Sequence, residues 1–341
     1  MGSKISDILI YEEVDLDDLK GKTLAVDAFN TLYMFLTTIR GYDGAPLMDS
    51  KGRITSHLQG LFSRFSNYLE KGLKFVFVFD GTPPSLKSEE SKRRKELKLE
   101  AKKLFDKAKS EKDIDNMKKY AARAVFLSDE IIADSKKLLD LMGIPIVQAP
   151  SEGEAQAAFM AKKGDVYGVV SQDADTLLAG APRLIKNLSV SPRRKFAGSL
   201  SSKNVPTQLI SLDDNLKNLG LDIDKLIALS ILVGTDYNYG GVKGIGPKKA
   251  LKLLQKQEID LAFEKVKWSE NSDVDWKDIF NLIKQMPVTS DYKIDFKDPD
   301  FDGLKEFLLS FEFSQSRIDK NIERLKQAKK LLSQKGLGEF F

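Results

Sequence analysis

Phe75, Val76, Phe77, Val78 and Phe79 form an unbroken apolar run that ends at once in Asp80. Successive side chains of an extended strand point to opposite faces, so a run without polar alternation needs cover on both sides of its sheet. The run therefore predicts a central strand of a mostly parallel sheet with helices on both faces, an α/β fold. Three more short apolar runs fit the same sheet: Thr23 to Val26, Ile144 to Val147 and Tyr167 to Val170. Helical patterns lie between them.

Every one of these strands is followed by acids. Asp27 and Asp80 come directly after theirs, Glu152 and Glu154 follow the third after a short loop, and Asp173 and Asp175 follow the fourth. In open α/β sheets the ligand sits beyond the carboxyl ends of the strands. Six carboxylates are thus predicted to converge on one edge, where like charges would raise each other's pKa unless a cation neutralised them. Composition narrows that cation. The 341 residues include no cysteine and one histidine, which removes disulfides, thiol nucleophiles, cysteine-based zinc sites and multi-histidine sites. All-oxygen ligands point to magnesium or manganese. Two such ions about 4 Å apart would suit phosphodiester hydrolysis.

Each acid also has a structural reading. Asp27 and Asp80 could cap turns or helices. Ser151-Glu152-Gly153-Glu154 reads as a capping box, with Ser151 as N-cap and Glu154 at the third helical position. Single acids of this kind are more often structural than catalytic. Acids at four strand ends, with Asp-x-Asp at Asp173 and Asp175, favour a metal site. His57, in Thr55-Ser56-His57-Leu58 at an expected helix start, reads as structural.

With 54 basic and 50 acidic residues the net charge of +4 says little about partners, so the distribution of charge must carry that argument. Lys87 to Arg123 holds 14 Lys and Arg against 8 Asp and Glu. It could be a solvated helical pair laced with salt bridges. It could equally be a basic arch over the active site, steering phosphates by charge. Its start seven residues after Asp80, behind Thr82-Pro83-Pro84, favours the arch. One helix covering both would set Lys87 and Arg94 at i and i+7, on one face.

Val242-Lys243-Gly244-Ile245-Gly246-Pro247-Lys248-Lys249-Ala250 reads as a tight turn opening a helix, whose free amides could hold a phosphate beside Lys248 and Lys249. Gly234-Thr235-Asp236-Tyr237 precedes it and supplies a seventh acid. No Gly-x-Gly-x-x-Gly follows the first strand, which counts against an oxidoreductase.

On these residues the chain resembles the archaeal and eukaryotic structure-specific 5′ nuclease family, in its flap endonuclease branch. The likeness rests on Val26-Asp27-Ala28-Phe29-Asn30, Val78-Phe79-Asp80-Gly81-Thr82-Pro83-Pro84 and Ala149-Pro150-Ser151-Glu152-Gly153-Glu154-Ala155-Gln156. Ser171-Gln172-Asp173-Ala174-Asp175 and Gly234-Thr235-Asp236-Tyr237 complete it. It spans essentially the whole chain. The resemblance implies that Asp27, Asp80, Glu152, Glu154, Asp173, Asp175 and Asp236 hold two magnesium ions, with manganese possible. It implies that Lys87 and Arg94 contact the scissile phosphate and that Tyr33 stacks near the unpaired terminal base. A helix-two-turn-helix around residues 227–255, with Gly244, Gly246, Lys248, Lys249 and a bound potassium ion, would grip the uncut duplex strand. Gly2 and the wedge over residues 39–60 would border the active site and split the duplex. Phe313 and Arg317 would form a pocket for a one-nucleotide 3′ flap.

The segment Gln334-Lys335-Gly336-Leu337-Gly338-Glu339-Phe340-Phe341 fits Gln-x-x-aliphatic-x-x-aromatic-aromatic, the signature by which partners dock on a sliding clamp (PCNA). Gln334, Leu337, Phe340 and Phe341 would plug an apolar pocket on the clamp. A spare hydrophobic end is the plainer alternative, but two phenylalanines at the end of a charged tail favour clamp docking. The expected organisation is one nuclease domain over residues 1–332, with the arch at about residues 82–125, and a flexible tail over residues 333–341.

The function these features predict is hydrolysis of one phosphodiester at the junction of duplex and 5′ single-stranded DNA, in Okazaki fragment maturation and repair. Three rivals stand beside it: a metal-dependent ribonuclease, a related 5′ exonuclease, and a non-catalytic DNA-junction scaffold. No apolar run approaches the roughly 20 residues needed to span a bilayer. The sequence is expected to work as a monomer when free, in the cytoplasm with the nucleoid.

Overall fold

The computed structural model describes residues 4–188, 193–195 and 202–335. Its strands, in chain order, are β1 (Glu12–Val14), β2 (Thr23–Asp27), β3 (Lys74–Phe79), β4 (Ile146–Gln148), β5 (Gly168–Val170), β6 (Arg183–Lys186), β7 (Arg193–Lys195), β8 (Ser202–Asn204) and β9 (Thr207–Ser211). Seven of them form one sheet in the order β1-β9-β6-β5-β2-β3-β4, while β7 and β8 make a separate antiparallel pair. From β6 to β4 every pairing is parallel; β9 runs antiparallel to both of its neighbours, β6 and β1. The parallel α/β sheet expected from the sequence is present, and the antiparallel extension through β9 and β1 is an addition that short, half-polar runs did not signal.

β3 lies between β2 and β4, and its apolar run is buried on both faces as predicted. Phe75, Phe77 and Phe79 join Leu24 and Val26 in a core closed by α1 (Ala28–Thr38), by α2 (Ser56–Gly60) and α3 (Ser66–Glu70), and by a more distant helix, Asp129–Leu141. A π turn over Leu61–Phe65 makes α2 and α3 one continuous helix. Phe65 sits edge-on to Phe75 and Phe77, with ring centroids 4.9 and 4.8 Å away. On the opposite face Val76, Val78 and Ala25 meet Ala157, Ala158, Met160 and Ala161. Small residues there let a helix approach the sheet closely. Each fully buried Phe or Val side chain contributes about 1.5–3 kcal/mol before entropy is counted.

The arch consists of α4 (Ser88–Ser110) and α5 (Ile114–Ala121), packed on each other. Then come α6 (Asp129–Leu141), α7 (Gly153–Lys163) and the short α8 (Asp175–Leu178). The third core joins β6 and β9 to α9 (Leu212–Leu219), α10 (Ile223–Val233), α11 (Pro247–Leu254), α12 (Ile259–Lys265) and α13 (Trp276–Lys284). Helices α14 (Phe301–Ser310) and α15 (Gln315–Lys335) return to the first core. No helix among the described residues is long and apolar enough to cross a membrane.

Between α13 and α14, residues 286–300 run without regular structure and are tied to the chain ahead of β4 and to α7. The Lys297 amide donates to the Gly143 carbonyl at 3.2 Å and the Asp300 amide to that of Leu141 at 2.9 Å. The Gln156 side chain behaves as a substitute peptide: its Oε1 accepts from the Thr289 amide at 2.8 Å and its Nε2 donates to the Thr289 carbonyl at 2.9 Å. This strap had no signal in hydrophobic periodicity.

Two boundaries differ from expectation. β4 spans Ile146–Gln148 rather than residues 144–147, because Pro145 has no amide to give a ladder and the Ile144 amide closes the end of α6 on Leu139. Helix α15 continues through Lys335, so residues 333–335 extend the helix instead of opening the tail; the first helix breaker in that stretch is Gly336.

Candidate active site

The chain order reverses between β2 and β5. From β2 it winds outward through β3 to β4, then crosses back to β5 and β6 on the other side. Such a switch point opens a crevice at the carboxyl edge of a parallel sheet. The acids gather there.

Asp27 closes β2 and caps α1. Its Oδ1 accepts from the Asn30 amide at 3.0 Å, and its Oδ2 accepts from Ser171 Oγ at 3.1 Å. The structural reading of Asp27 therefore holds together with its place in the cluster, since the cap fixes the rotamer that presents the carboxyl. Ser171 Oγ accepts in turn from the Asp173 amide at 3.1 Å, and Asn30 Oδ1 from the Gln172 amide at 3.1 Å. The first turn of α1 is thus tied to the loop after β5.

Asp80 Oδ1 accepts from the Gly153 amide at 2.8 Å. A Cβ on Gly153 would lie 2.6 Å from that oxygen, so the approach requires glycine. The capping box expected at residues 151–154 does not form. Glu152 is the N-cap of α7, and Ser151 Oγ donates instead to the Thr82 carbonyl at 3.0 Å, pinning the start of the arch. Glu154, released from capping, turns into the cluster. Asp175 opens α8, and Asp236 follows α10 by three residues.

Lys87, Glu152, Glu154, Asp175, Asp236 and Tyr237 line an open cleft. Burial raises the Asp27, Glu154 and Asp173 carboxyls above the usual carboxylate range. Neighbouring acids add to the rise: Asp173, Asp27 and Asp175 around Glu154, and Asp236 and Asp27 around Asp173. Asp80 is pushed up to about 7, by burial first and then by Asp27 and Glu152. Anions that destabilise one another in this way lack positive charge, and with all-oxygen donors the group that fits is a hard divalent cation. Among the described residues no three acids are closed tightly enough to cage an ion unaided.

Part of the positive charge comes from the arch. Lys87 lies in a 3-10 turn over Ser85–Lys87 and serves as N-cap of α4, so one regular helix does not carry both Lys87 and Arg94. Both still reach the same carboxyl. Lys87 Nζ is 2.6 Å from Glu152 Oε2 and 3.6 Å from Asp236 Oδ2, and the Arg94 guanidinium donates to Asp236 Oδ1. Burial works against the Lys87 ammonium, but Glu152 and then Asp236 outweigh it and hold it above the usual lysine range. Glu90, buried on α4 at 6% exposure, accepts from Arg94 Nε at 2.7 Å and from Arg93 Nε at 2.7 Å.

The remaining candidates occupy three places. Tyr33 sits half-buried on α1 with Lys98 Nζ 4.8 Å from its ring centroid. In the turn before α11, Gly244 has φ +79° and Gly246 is the N-cap with Pro247 at the first helical position. Lys248 is exposed, and Lys249 Nζ donates to the Gly244 carbonyl at 2.9 Å, closing the turn. The helices of this element are α10 and α11, so it begins at Ile223, ahead of residue 227. Phe313 is packed in the first core at 7% exposure, while Arg317 is exposed and donates to Gln59 Oε1 at 2.8 Å. Gly2, Leu337, Phe340 and Phe341 lie outside the described residues, and Gln334 falls in the last turn of α15. His57 is fully buried, away from the cleft, with neither ring nitrogen hydrogen-bonded.

Sequence reasoning missed Ser171, which joins two acids, and Glu90, which looked like one more surface charge on a charged helix. A serine directly after a buried strand, two residues before an acid, was the available signal for the first.

Such a cluster at the switch point of a doubly wound sheet, with a basic helical insertion bonded into it, defines a carboxylate-centred α/β protein. Residues 3–101 match the XPG N-terminal domain and residues 143–236 the XPG I-region. The chain is 49% identical to flap endonuclease 1 of Pyrococcus horikoshii over all of its length and 98% of that relative's. The structure superposes on flap endonuclease-1 from Methanococcus jannaschii with a TM-score of 0.76 at 39% identity, covering 96% of this chain and 98% of the other. It shares its fold with the catalytic core of Rad2 in complex with DNA substrate, at 24% identity and a TM-score of 0.70, covering 95% of this chain and 100% of that one. The chain belongs to the flap endonuclease family and is a nuclease of that family.

Proposed function

We propose that the protein is a magnesium-dependent, structure-specific 5′ nuclease that hydrolyses one phosphodiester where duplex DNA meets a 5′ single strand, leaving a 5′-phosphate and a 3′-hydroxyl. The observation that carries the reading is the seating of Lys87 and Arg94, two cations at the base of a basic arch, directly on Glu152 and Asp236. A phosphate entering the cleft would meet both cations at the edge where the acids stand.

In this reading Asp27, Asp80, Glu152, Glu154, Asp173, Asp175 and Asp236 would hold two divalent ions, magnesium or manganese. Bound there, the ions would supply Lewis acidity for water activation and for the leaving oxygen. The chain's own part is to position and neutralise. Lys87 and Arg94 stabilise charge that develops on the phosphate, and donors fixed in advance on rigid elements cost no reorganisation during reaction. Tyr33 offers a ring face to the terminal unpaired base. Gly244, Gly246, Lys248 and Lys249 present exposed amides and charge to a phosphate of the uncut strand, with a potassium ion as the expected companion.

Arg317 would contact a one-nucleotide 3′ flap. Phe313, being buried, would support the wall of that pocket and would not touch the nucleotide. Gln334, Leu337, Phe340 and Phe341 would dock on a sliding clamp, which suits Okazaki fragment maturation and repair at the nucleoid, with the enzyme a monomer when free. Residues 1–332 would act as one nuclease unit.

The test is cleavage of an end-labelled 5′-flap DNA with magnesium, comparing wild type with Asp175→Ala and with a linear duplex. Cutting at the flap junction that needs both the metal and Asp175 is the expected result. Tight binding without cutting by wild type would favour a junction scaffold, and faster cutting of a matched RNA flap would favour a ribonuclease.

A further inference from the structure

Glu90 is out of character for its surroundings. It is a buried carboxylate on a helix that is otherwise strongly basic and solvated, and it takes no part in the acid cluster. Its two oxygens are spent on two neighbouring guanidiniums: Oε2 accepts from Arg93 Nε at 2.7 Å, and Oε1 accepts from Arg93 Nη2 at 2.8 Å and from Arg94 Nε at 2.7 Å. A fork of this kind fixes the planes of both side chains, since bidentate arginine pairing is directional. With its Nε held by Glu90, Arg94 turns an Nη outward, and that nitrogen donates to Asp236.

Arg93 leads elsewhere. Its Cζ lies 3.7 Å from the ring centroid of Tyr239, in the loop that leads from Asp236 to the turn opening α11. Tyr239 is 68% exposed, so hydrophobic burial does not hold the ring in place. The guanidinium stack does, contributing about 0.5–1 kcal/mol at an exposed site. The base of the arch is therefore fastened to one loop at two points, Arg94 on Asp236 and Arg93 on Tyr239, and a single carboxylate organises both.

We propose that Glu90, Arg93 and Tyr239 form a positioning latch that holds the Arg94 guanidinium against the acid-lined cleft and fixes the arch base to the loop feeding the duplex-gripping turn. None of the three touches the reacting phosphate in this arrangement; they act through Arg94. The inference rests on the flap-nuclease reading. Its consequence is that the loop carrying Asp236 and Tyr239 reports on both sides: a shift at the turn before α11 moves the partner of Arg94. Misplacing a catalytic group by about 1 Å costs up to about 10²-fold in rate.

The test compares single-turnover cleavage of a 5′-flap DNA, affinity for the same DNA by fluorescence anisotropy, and thermal melting, for wild type, Glu90→Gln, Tyr239→Ala, Tyr239→Phe, Arg94→Ala and the double variant Glu90→Gln/Arg94→Ala. Glu90→Gln is expected to slow cleavage about 10- to 100-fold while affinity changes less than about threefold. In the Arg94→Ala background the same substitution is expected to do nothing further, because residues acting through one another are not additive. Tyr239→Ala should slow cleavage severalfold with a melting temperature lowered by no more than about 2 °C, and Tyr239→Phe, which keeps the ring face, should recover most of the lost rate. Independent, multiplying losses from Glu90→Gln and Arg94→Ala would overturn the latch, as would wild-type rates in both Glu90→Gln and Tyr239→Ala. Wild-type protein that does not cut the flap would overturn the functional reading instead.

Discussion

Lys87 Nζ stands 2.6 Å from Glu152 and 3.6 Å from Asp236, so a cation of the arch bridges two acids delivered by different parts of the chain, one at the N-cap of α7 and one beyond the end of α10. The contact joins three segments far apart in sequence.

Removing that ammonium separates turnover from binding. Lys87→Ala is expected to lower single-turnover cleavage of flap DNA by about 10²–10³-fold, the scale for losing one preorganised donor to a transition-state charge. Affinity should change far less, because DNA binding draws on many phosphate contacts. Rapid-quench rates beside anisotropy titrations provide the check, and equal losses in both would remove Lys87 from the chemistry.

His57 predicts an acid limb in stability. Burial lowers its pKa from 6.5 to about 4, so between those values the unfolded chain binds a proton that the folded protein refuses. Stability from the neutral ring is complete above pH 6.5 and is lost as pH falls towards 4, with a slope of up to about 1.4 kcal/mol per pH unit. Urea melts at pH 7 and pH 4.5 should show this slope in wild type and its loss in His57→Leu. Because the cleft carboxyls titrate alike in both proteins, the difference between them isolates the histidine.

Gly81→Ala should damage the site through the backbone. An added Cβ would lie 2.2 Å from the Ala149 carbonyl and 2.6 Å from that of Pro150, and neither peptide is free to withdraw. The Gly81 amide donates to the Ser151 carbonyl in the same crossing. A loss of about 1–3 kcal/mol is expected, the range for forcing an extra carbon into a closely packed position. Denaturant melts test the stability, and cleavage assays well below the new midpoint test whether Asp80 has moved.

The turn before α11 predicts a signature in salt. Lys248→Ala should reduce the slope of log affinity against log salt by about one while leaving the cleavage rate at saturating enzyme nearly unchanged. Lys249→Ala should do more, because its ammonium also closes the turn on the Gly244 carbonyl. Titrations at several potassium chloride concentrations separate the two.

The parallel sheet and the acids were legible in the sequence for one reason each. Phe75 to Phe79 could be covered only inside a two-faced sheet, and acids placed directly after strands have one edge on which to meet. What stayed hidden depended on partners distant in sequence. Ser151 satisfies the local rule for a capping box, yet the Thr82 carbonyl, brought in by the arch, takes its hydroxyl and leaves Glu154 for the cleft. Glu90 reads as an ordinary helical i,i+3 and i,i+4 partner of Arg93 and Arg94, and only the approach of Tyr239 and Asp236 gives that pairing a direction. β9 carries mixed polarity, and its place depends on pairing with β6 and β1.

The brevity of the two border strands has a bearing on solubility. A sheet of this size has two borders at which another chain could add a strand. One is β1, short and carrying Glu12 and Glu13, whose charges discourage a newcomer. The other is β4, again three residues long, with the strap tied nearby to Gly143 and Leu141 ahead of the strand and to Gln156 on α7. A three-residue strand offers a newcomer only a short ladder, so both borders of the sheet discourage stitching between copies by their brevity.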